Sequence, residues 1–300
     1  MSKTNSGRPV QIVSISFPKD KTEKILEIVE QEAKEQPDLI VLPETWKGLS
    51  ADPERVDGMT VSAVSKLAKK YKTYIICPIF RKEEKSDRIN SAVLLNREGE
   101  VAFVFDKTYP YWGEFDLQPP TRPGGGAAVF ETDFGRIGVA ICFDANFPEV
   151  WKSLANQGAE LVLWPSAYSA GTSLQAHAIN HQYYIVSATL VSDCVVYDIT
   201  GRELLYEKSK EINVSRITLD LDRGIYHENF NMEKRDKLLA EKANSIIQEL
   251  HMTREEWFVL KAIQPRVSAR ETAKEYGMEE LRDYKNRSRT EIDKMRGTSL

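Results

Sequence analysis

Cysteine and histidine are scarce in this chain, three and four among 300 residues. Cys77, Cys142 and Cys194 are widely spaced and odd in number, which excludes a disulfide framework and a zinc-ligand spacing. The histidines (His177, His181, His227, His251) all fall late, on helical or polar stretches, and read as structural. No apolar run is long enough to span a bilayer, and Met1–Pro9 carries no apolar stretch of the kind an export signal needs. An excess of one charge is missing too: 41 Lys and Arg face 45 Asp and Glu, a net charge of −4, so nothing marks a general nucleic-acid or membrane binder. Internal repeats and low-complexity tracts are absent. Free thiols without an export signal point to the reducing cytoplasm, where the glycosylation-like Asn213-Val-Ser215 is a chance match.

Present instead is enough apolar sequence, 41% of residues, for a sizeable core in one large domain or two ordinary ones. Strand-like runs (10–17, 39–42, 73–77, 90–95, 101–106, 127–130, 136–141, 160–164, 184–190, 212–219) alternate with helical spacings (19–35, 60–71, 148–157, 173–181). Asn96–Glu100 and Thr200-Gly201 read as hairpin turns, and 110–126 as a long loop of the kind that carries function. This alternation predicts a mixed α/β layer architecture up to about Asp222. From Met232 the sequence turns charged, and 232–250, 254–263 and two later stretches ending at Arg296 read as helices.

Three residues stand just past apolar strands: Glu44 after Asp38-Leu-Ile-Val-Leu-Pro, Lys107 after Val101-Ala-Phe-Val-Phe-Asp, and Cys142 after Arg136-Ile-Gly-Val-Ala-Ile. Strand ends at a sheet rim are where α/β proteins build sites. Each residue has a plain alternative: core packing for Cys142, an ion pair for Glu44, an exposed strand end for Lys107, and ordinary loop polarity for Glu114. A thiol at a strand–turn–helix junction can nevertheless be lifted out of the sheet, leaving the Phe143 N–H free to donate to an oxyanion. Aromatic residues at Trp46, Tyr109, Tyr111, Trp112, Phe143 and Tyr168 are candidates for the wall of a compact, partly apolar pocket.

Leu-Pro-Glu44, Asp106-Lys107 with Gly-Glu114-Phe, Gly-Arg-Ile-Gly-Val-Ala-Ile-Cys142-Phe-Asp and Phe-Pro-Glu149 stand in the order and spacing of one family. Over roughly residues 8–222 the chain resembles the nitrilase superfamily of carbon–nitrogen hydrolases, on its amidase-like branch. The resemblance implies a four-layer α-β-β-α sandwich, usually dimeric or in larger homo-oligomers, without metal or cofactor. It further implies Glu44 as general base, Lys107 as electrostatic stabiliser, Cys142 as nucleophile and Glu114 as an additional glutamate supporting the substrate or the base. The implied reaction is hydrolysis of a small amide through a cysteine thioester, with a nitrile as the alternative substrate. Asn146 stands where the family often has Arg, which argues against a carbamoyl-amino-acid substrate. His177-Ala-Ile-Asn180-His181 and Ser187–Asp193 also depart from the family pattern.

The expected organisation is a hydrolase domain over 1–225 and a C-terminal helical extension over 226–300. In that extension Ala273 and Gly277 are spaced as in a helix-turn-helix, with Arg282, Lys285, Arg287 and Arg289 following. A ligand-sensing regulator with a DNA-contacting tail is therefore the competing function. Glu271, Glu275, Glu279, Glu280 and Asp283 dilute the basic face, so nucleic acid is not expected as a partner.

Overall fold

The computed structural model describes residues 6–18, 22–84 and 87–298. Its first half runs β1 (Pro9–Ser16), α1 (Thr22–Ala33), β2 (Leu39–Val41), α2 (Met59–Tyr71), β3 (Tyr74–Arg81), β4 (Ile89–Leu95) and β5 (Val101–Asp106). The second runs β6 (Val129–Glu131), β7 (Arg136–Val139), α3 (Pro148–Asn156), β8 (Leu161–Ser166), α4 (Thr172–His181), β9 (Tyr184–Thr189), β10 (Asp193–Tyr197), β11 (Glu203–Lys208) and β12 (Asn213–Asp220). Residues 19–21, expected at the start of the first helix, lie outside the described residues.

Two six-stranded sheets result, ordered β12-β1-β2-β3-β4-β5 and β11-β10-β9-β8-β7-β6. Within each, three strands run parallel and the next two return antiparallel: β1, β2, β3 then β4, β5, and β7, β8, β9 then β10, β11. The sequence shows no repeat, yet the two halves share one topology. Ile25, Val29 and Ala33 of α1 and Val61, Val64 and Ala68 of α2 are buried against one sheet, at the spacing of a helix with a single apolar face. Val150, Trp151 and Leu154 of α3 with Leu174 and Ala178 of α4 cover the other. The remaining faces meet: Ser14 Oγ donates to Ser187 O at 2.6 Å, and the Phe17 amide to Thr189 O at 3.0 Å. This is the four-layer α-β-β-α sandwich. All residues of β3 and β4 are buried, the polar Arg81, Asn90 and Ser91 included, because these strands are covered on both faces.

Two glycines permit this packing. At Gly99, in the β4–β5 hairpin with φ +76°, a Cβ would stand 2.5 Å from Ser65 O of α2. On β7, a Cβ at Gly138 would meet the Leu154 side chain at 2.8 Å, so its absence lets α3 close on the strand that leads to Cys142.

The chain divides into two compact units, Val10–Thr218 and a second comprising residues 219–298 with 6–9. The second corrects the all-helical reading of the C-terminal extension. It holds β13 (Gly224–His227), α5 (Met232–Lys242), β14 (Ile246–Met252), β15 (Trp257–Ala262), α6 (Ala269–Glu275) and α7 (Leu281–Arg296), with an antiparallel sheet ordered β13-β15-β14. The stretches 246–250 and 254–263, expected as helix, fall largely on this hairpin. A short apolar run such as Trp257-Phe-Val-Leu260 fits helix or strand equally until pairing decides it, and edge strand β14 is polar enough to read as a charged helix. Phe258, Leu260, Ala269, Ala273 and Met278 form this unit's own core. α6 and α7 do flank a turn at Gly277 (φ +73°), but acids partner several α7 cations: Arg287 binds Glu279 at 2.7 Å, Lys294 binds Glu291 at 2.7 Å, and Arg296 binds Asp293 at 2.8 Å. Among the described residues no helix is long and apolar enough to cross a membrane.

Candidate active site

The parallel strands and their antiparallel neighbours bring several chain segments to one rim of the first unit. Glu44 follows β2, Lys107 follows β5, Asn90 is the second residue of β4, Cys142 lies beyond β7 and Ala167 directly follows β8. Glu44, Lys107, Glu114 and Cys142 are all buried, at 2%, 1%, 4% and 6% exposure, so the surface readings of the charged residues do not apply.

Lys107 Nζ donates to Glu44 Oε1 at 2.8 Å and to Glu114 Oε2 at 2.5 Å. Two carboxylates thus share one ammonium. Asn90, wholly buried, donates from Nδ2 to Glu44 Oε1 at 2.7 Å and to Glu114 Oε1 at 2.8 Å. The remaining oxygen of Glu44 accepts the Ala167 amide at 2.9 Å, and Glu114 Oε2 also accepts the Tyr111 amide at 2.7 Å. Every carboxylate oxygen therefore has a donor, as buried charge requires. Burial by itself would lower the Lys107 ammonium, but the charges of Glu44 and Glu114 and the hydrogen bond to Glu114 outweigh it and hold Lys107 raised and cationic.

Cys142 begins a 3-10 turn (Cys142–Asn146) and has φ +47°, a left-handed conformation unusual for a residue with a Cβ. Strained backbone of this kind collects at functional sites. The position is locked from outside: Trp164 Nε1 donates to Cys142 O at 3.0 Å, and Trp151 Nε1 to Asp144 O at 3.0 Å. The Phe143 amide is among the first N–H groups of this turn, which have no acceptor within it. Burial pushes the Cys142 thiol up and Glu44 adds to this, while Lys107 and the Ala167 amide work against it; the balance is a raised, protonated thiol.

Asp144 joins the lysine and cysteine segments. Its carboxylate accepts the Ile141 amide at 2.9 Å and the Tyr109 amide at 2.8 Å. Burial raises its pKa to about 7 against the pull of those amides and of Lys107. Neither Asn90 nor Asp144 carries a strong signal of its own in the sequence. Asp144 stands out only as a motif neighbour of Cys142, and Asn90 is a polar residue near the start of a strand.

A cavity of about 550 Å³ opens over the thiol, with Glu44, Lys107, Glu114 and Cys142 at its inner end. Tyr111, Phe143 and Tyr168 line it as expected, joined by Leu49, Leu117 and Asn146. The other three expected wall residues lie elsewhere. Trp46, in the turn that follows β2, is buried in the helix-covered core, edge-on to Phe17 at 6.5 Å. Tyr109 stacks on Phe147 at 3.7 Å and gives its hydroxyl to Glu149 at 2.7 Å. Trp112, 76% exposed, packs against Phe115. Among the described residues no group of His, Cys, Asp and Glu side chains is arranged to hold a metal ion.

Comparison with known proteins agrees with this architecture. The carbon-nitrogen hydrolase family profile matches residues 14–224. Among curated relatives, the deaminated glutathione amidase of Mus musculus is 29% identical over 204 residues, covering 59% of this chain and 63% of that enzyme. Omega-amidase NIT3 of Saccharomyces cerevisiae is 29% identical over 185 residues, covering 53% and 64%. The chain thus spans just under two thirds of the length of each. Among solved structures, a carbon-nitrogen hydrolase from Helicobacter pylori G27 superposes with TM-score 0.64 at 20% identity over 78% of this chain and 93% of its own. An amidase from Nesterenkonia sp. does so with TM-score 0.61 at 18% identity over 79% and 96%. With its fold, its rim of buried charge and this match across most of its length, the chain belongs to the carbon-nitrogen hydrolase family of the nitrilase superfamily.

Proposed function

We propose that this protein hydrolyses the carbon–nitrogen bond of a small amide through a thioester on Cys142. The observation that carries the reading is a buried thiol at the floor of a cavity whose inner end also holds a carboxylate–ammonium–carboxylate bridge. A thiol held in its neutral form needs a base at the moment of attack, and Glu44 is in place to be that base. As Glu44 takes the proton, sulfur adds to the amide carbonyl. The Lys107 ammonium and the Phe143 N–H receive the developing oxyanion. Glu44 then returns the proton to the departing ammonia or amine, and later activates the water that cleaves the thioester. Glu114 holds Lys107 from the far side and keeps it oriented.

The amidase names carried by the relatives support this choice of reaction. A variant of the Nesterenkonia amidase, described as bearing a Michael adduct of acrylamide at its active-site cysteine, supports a nucleophilic thiol in this fold. A reducing compartment such as the cytoplasm suits three free thiols, and a homodimer or larger homo-oligomer is the assembly expected of the family. The C-terminal unit is read as an accessory to the hydrolase domain. The test is ammonia release from a panel of amides, carbamoyl compounds and nitriles, with Cys142→Ala and Glu44→Gln alongside. Amide turnover lost in both folded variants is expected. Turnover of nitriles alone would move the assignment to a nitrilase, and a variant retaining near-normal rates would remove that residue from the mechanism.

A further inference from the structure

The cavity carries a charge balance that restricts what can enter it. Resting on the amidase reading, we propose that the site takes neutral or cationic amides and rejects amides that carry a carboxylate near the scissile bond. At the inner end, Lys107 faces Glu44 and Glu114, leaving one uncompensated negative charge beside a neutral thiol. Asp144, buried close by and drawn to Lys107, adds further negative character when it ionises. Of the three N–H bonds of the ammonium, two are committed to the glutamates and the third is left for the oxyanion. None remains for a carboxylate on the substrate.

Nothing else in the lining compensates. Among the described residues Lys107 is the sole cationic one that lines the cavity, and the walls beyond it are Leu49, Tyr111, Leu117, Phe143 and Tyr168, with Asn146 as the polar group near the mouth. Asn146 donates to Phe143 O at 3.2 Å, a neutral contact within its own loop. The Arg88 guanidinium, whose charge reaches Glu114, does not line the cavity. It gives its N–H groups to Pro119 O and Ala51 O, and its charge is also drawn on by Asp52. A substrate carboxylate would lose its hydration in an apolar channel and arrive at like charge. One net charge about 6 Å away, at an effective dielectric of about 20, costs on the order of a hundredfold in kcat/KM.

Two measurements separate this inference from the reaction it rests on. First, alkylation of Cys142 in the native protein is timed with iodoacetamide and with iodoacetate, reagents of matched size that differ in charge. In either case sulfur displaces iodide and its proton passes to Glu44, so hydrolysis is not required. The neutral reagent should be favoured by at least about tenfold over its preference in the urea-unfolded chain, and Asn146→Arg should narrow that gap by bringing a cation to the mouth. Second, kcat/KM is compared for pentanamide and for the monoamide of glutaric acid, expecting the neutral amide to win. Equal native and unfolded reagent ratios, or preferred turnover of the acid, would overturn the inference and leave amide hydrolysis standing. Charge-selective alkylation without turnover of any amide would keep the ligand class and sink the reaction.

Discussion

Removing the amide of Asn90 is the sharpest test of how the buried charges are held. Its Nδ2 donates at 2.7 and 2.8 Å to one oxygen each of Glu44 and Glu114, while its buried Oδ1 has no partner among the described residues. The side chain is therefore oriented by the two carboxylates alone. Hydrogen bonds to charged groups contribute about 1.5–3 kcal/mol each, so Asn90→Ala forfeits about 3–6 kcal/mol before relaxation. Water admitted from the adjacent cavity returns part of this, for a net loss of roughly 2–4 kcal/mol. The carboxylates then repel with only Lys107 between them, and Glu44 drifts from the thiol. Misplacement on the order of an ångström costs about a hundredfold in rate. Asn90→Asp is nearly isosteric but adds a third carboxylate to the pair, so it should be worse than Ala in both stability and kcat. Urea unfolding followed by tryptophan fluorescence gives the first quantity, and steady-state ammonia release the second. If Asp proves the better tolerated of the two, or Ala leaves both quantities unchanged, the account of Asn90 as the clamp on both glutamates is wrong.

Three further outcomes follow from the same geometry. Asp144 is held up to about 7 in the fold against an ordinary 3.8, so the native state binds its proton more tightly than the unfolded chain. Its contribution is full below about pH 4 and is lost as pH rises through about 7, so urea midpoints should show the wild-type advantage over Asp144→Asn shrinking across that window; a constant difference would contradict the assignment. Native protein should be alkylated by iodoacetamide at Cys142 only, because Cys77 and Cys194 are fully buried away from the cavity, with all three reacting after unfolding. Mass mapping would refute this by finding either of the other two modified in the native state. Arg216 grips the buried Glu32 through two bonds of 2.6 and 2.7 Å, so Arg216→Leu strands that carboxylate and should cost roughly 1–3 kcal/mol. An unchanged thermal midpoint would show that solvent reaches Glu32 after all.

How much could be read without the fold differs from residue to residue. Glu44, Lys107 and Cys142 were visible because each follows an apolar run, and a strand buried on both faces leaves that signature in any chain. Glu114 was visible only as part of a motif, since its loop has no periodicity. Asn90 was not visible: a polar residue at the start of a strand is common, and only the antiparallel return of β4 beside β3 sets it between two glutamates from distant segments. Among the aromatic residues, sequence proximity to the motifs suggested six wall positions, but direction decides lining, and direction depends on which side of a turn each side chain leaves. Trp46 turned inward and Trp112 outward for that reason.

The C-terminal unit shows the same limit in secondary structure. The turn at Gly277 was legible from its spacing to Ala273, because a left-handed glycine after a short helix is a local event, as is the cap in which Ser268 Oγ accepts the Glu271 amide. The hairpin of β14 and β15 was not, since strand pairing is non-local and its charged flanks satisfy helix propensity equally well. By itself the sequence determined the alternation of buried strands with one-faced helices, the residue types of the site and their order along the chain. Only tertiary structure decided that two halves without sequence repetition would stack face to face. Their rims then converge to surround a single ammonium with carboxylates and a thiol, because hydrogen bonding and Coulomb energy depend on distances that no linear spacing encodes.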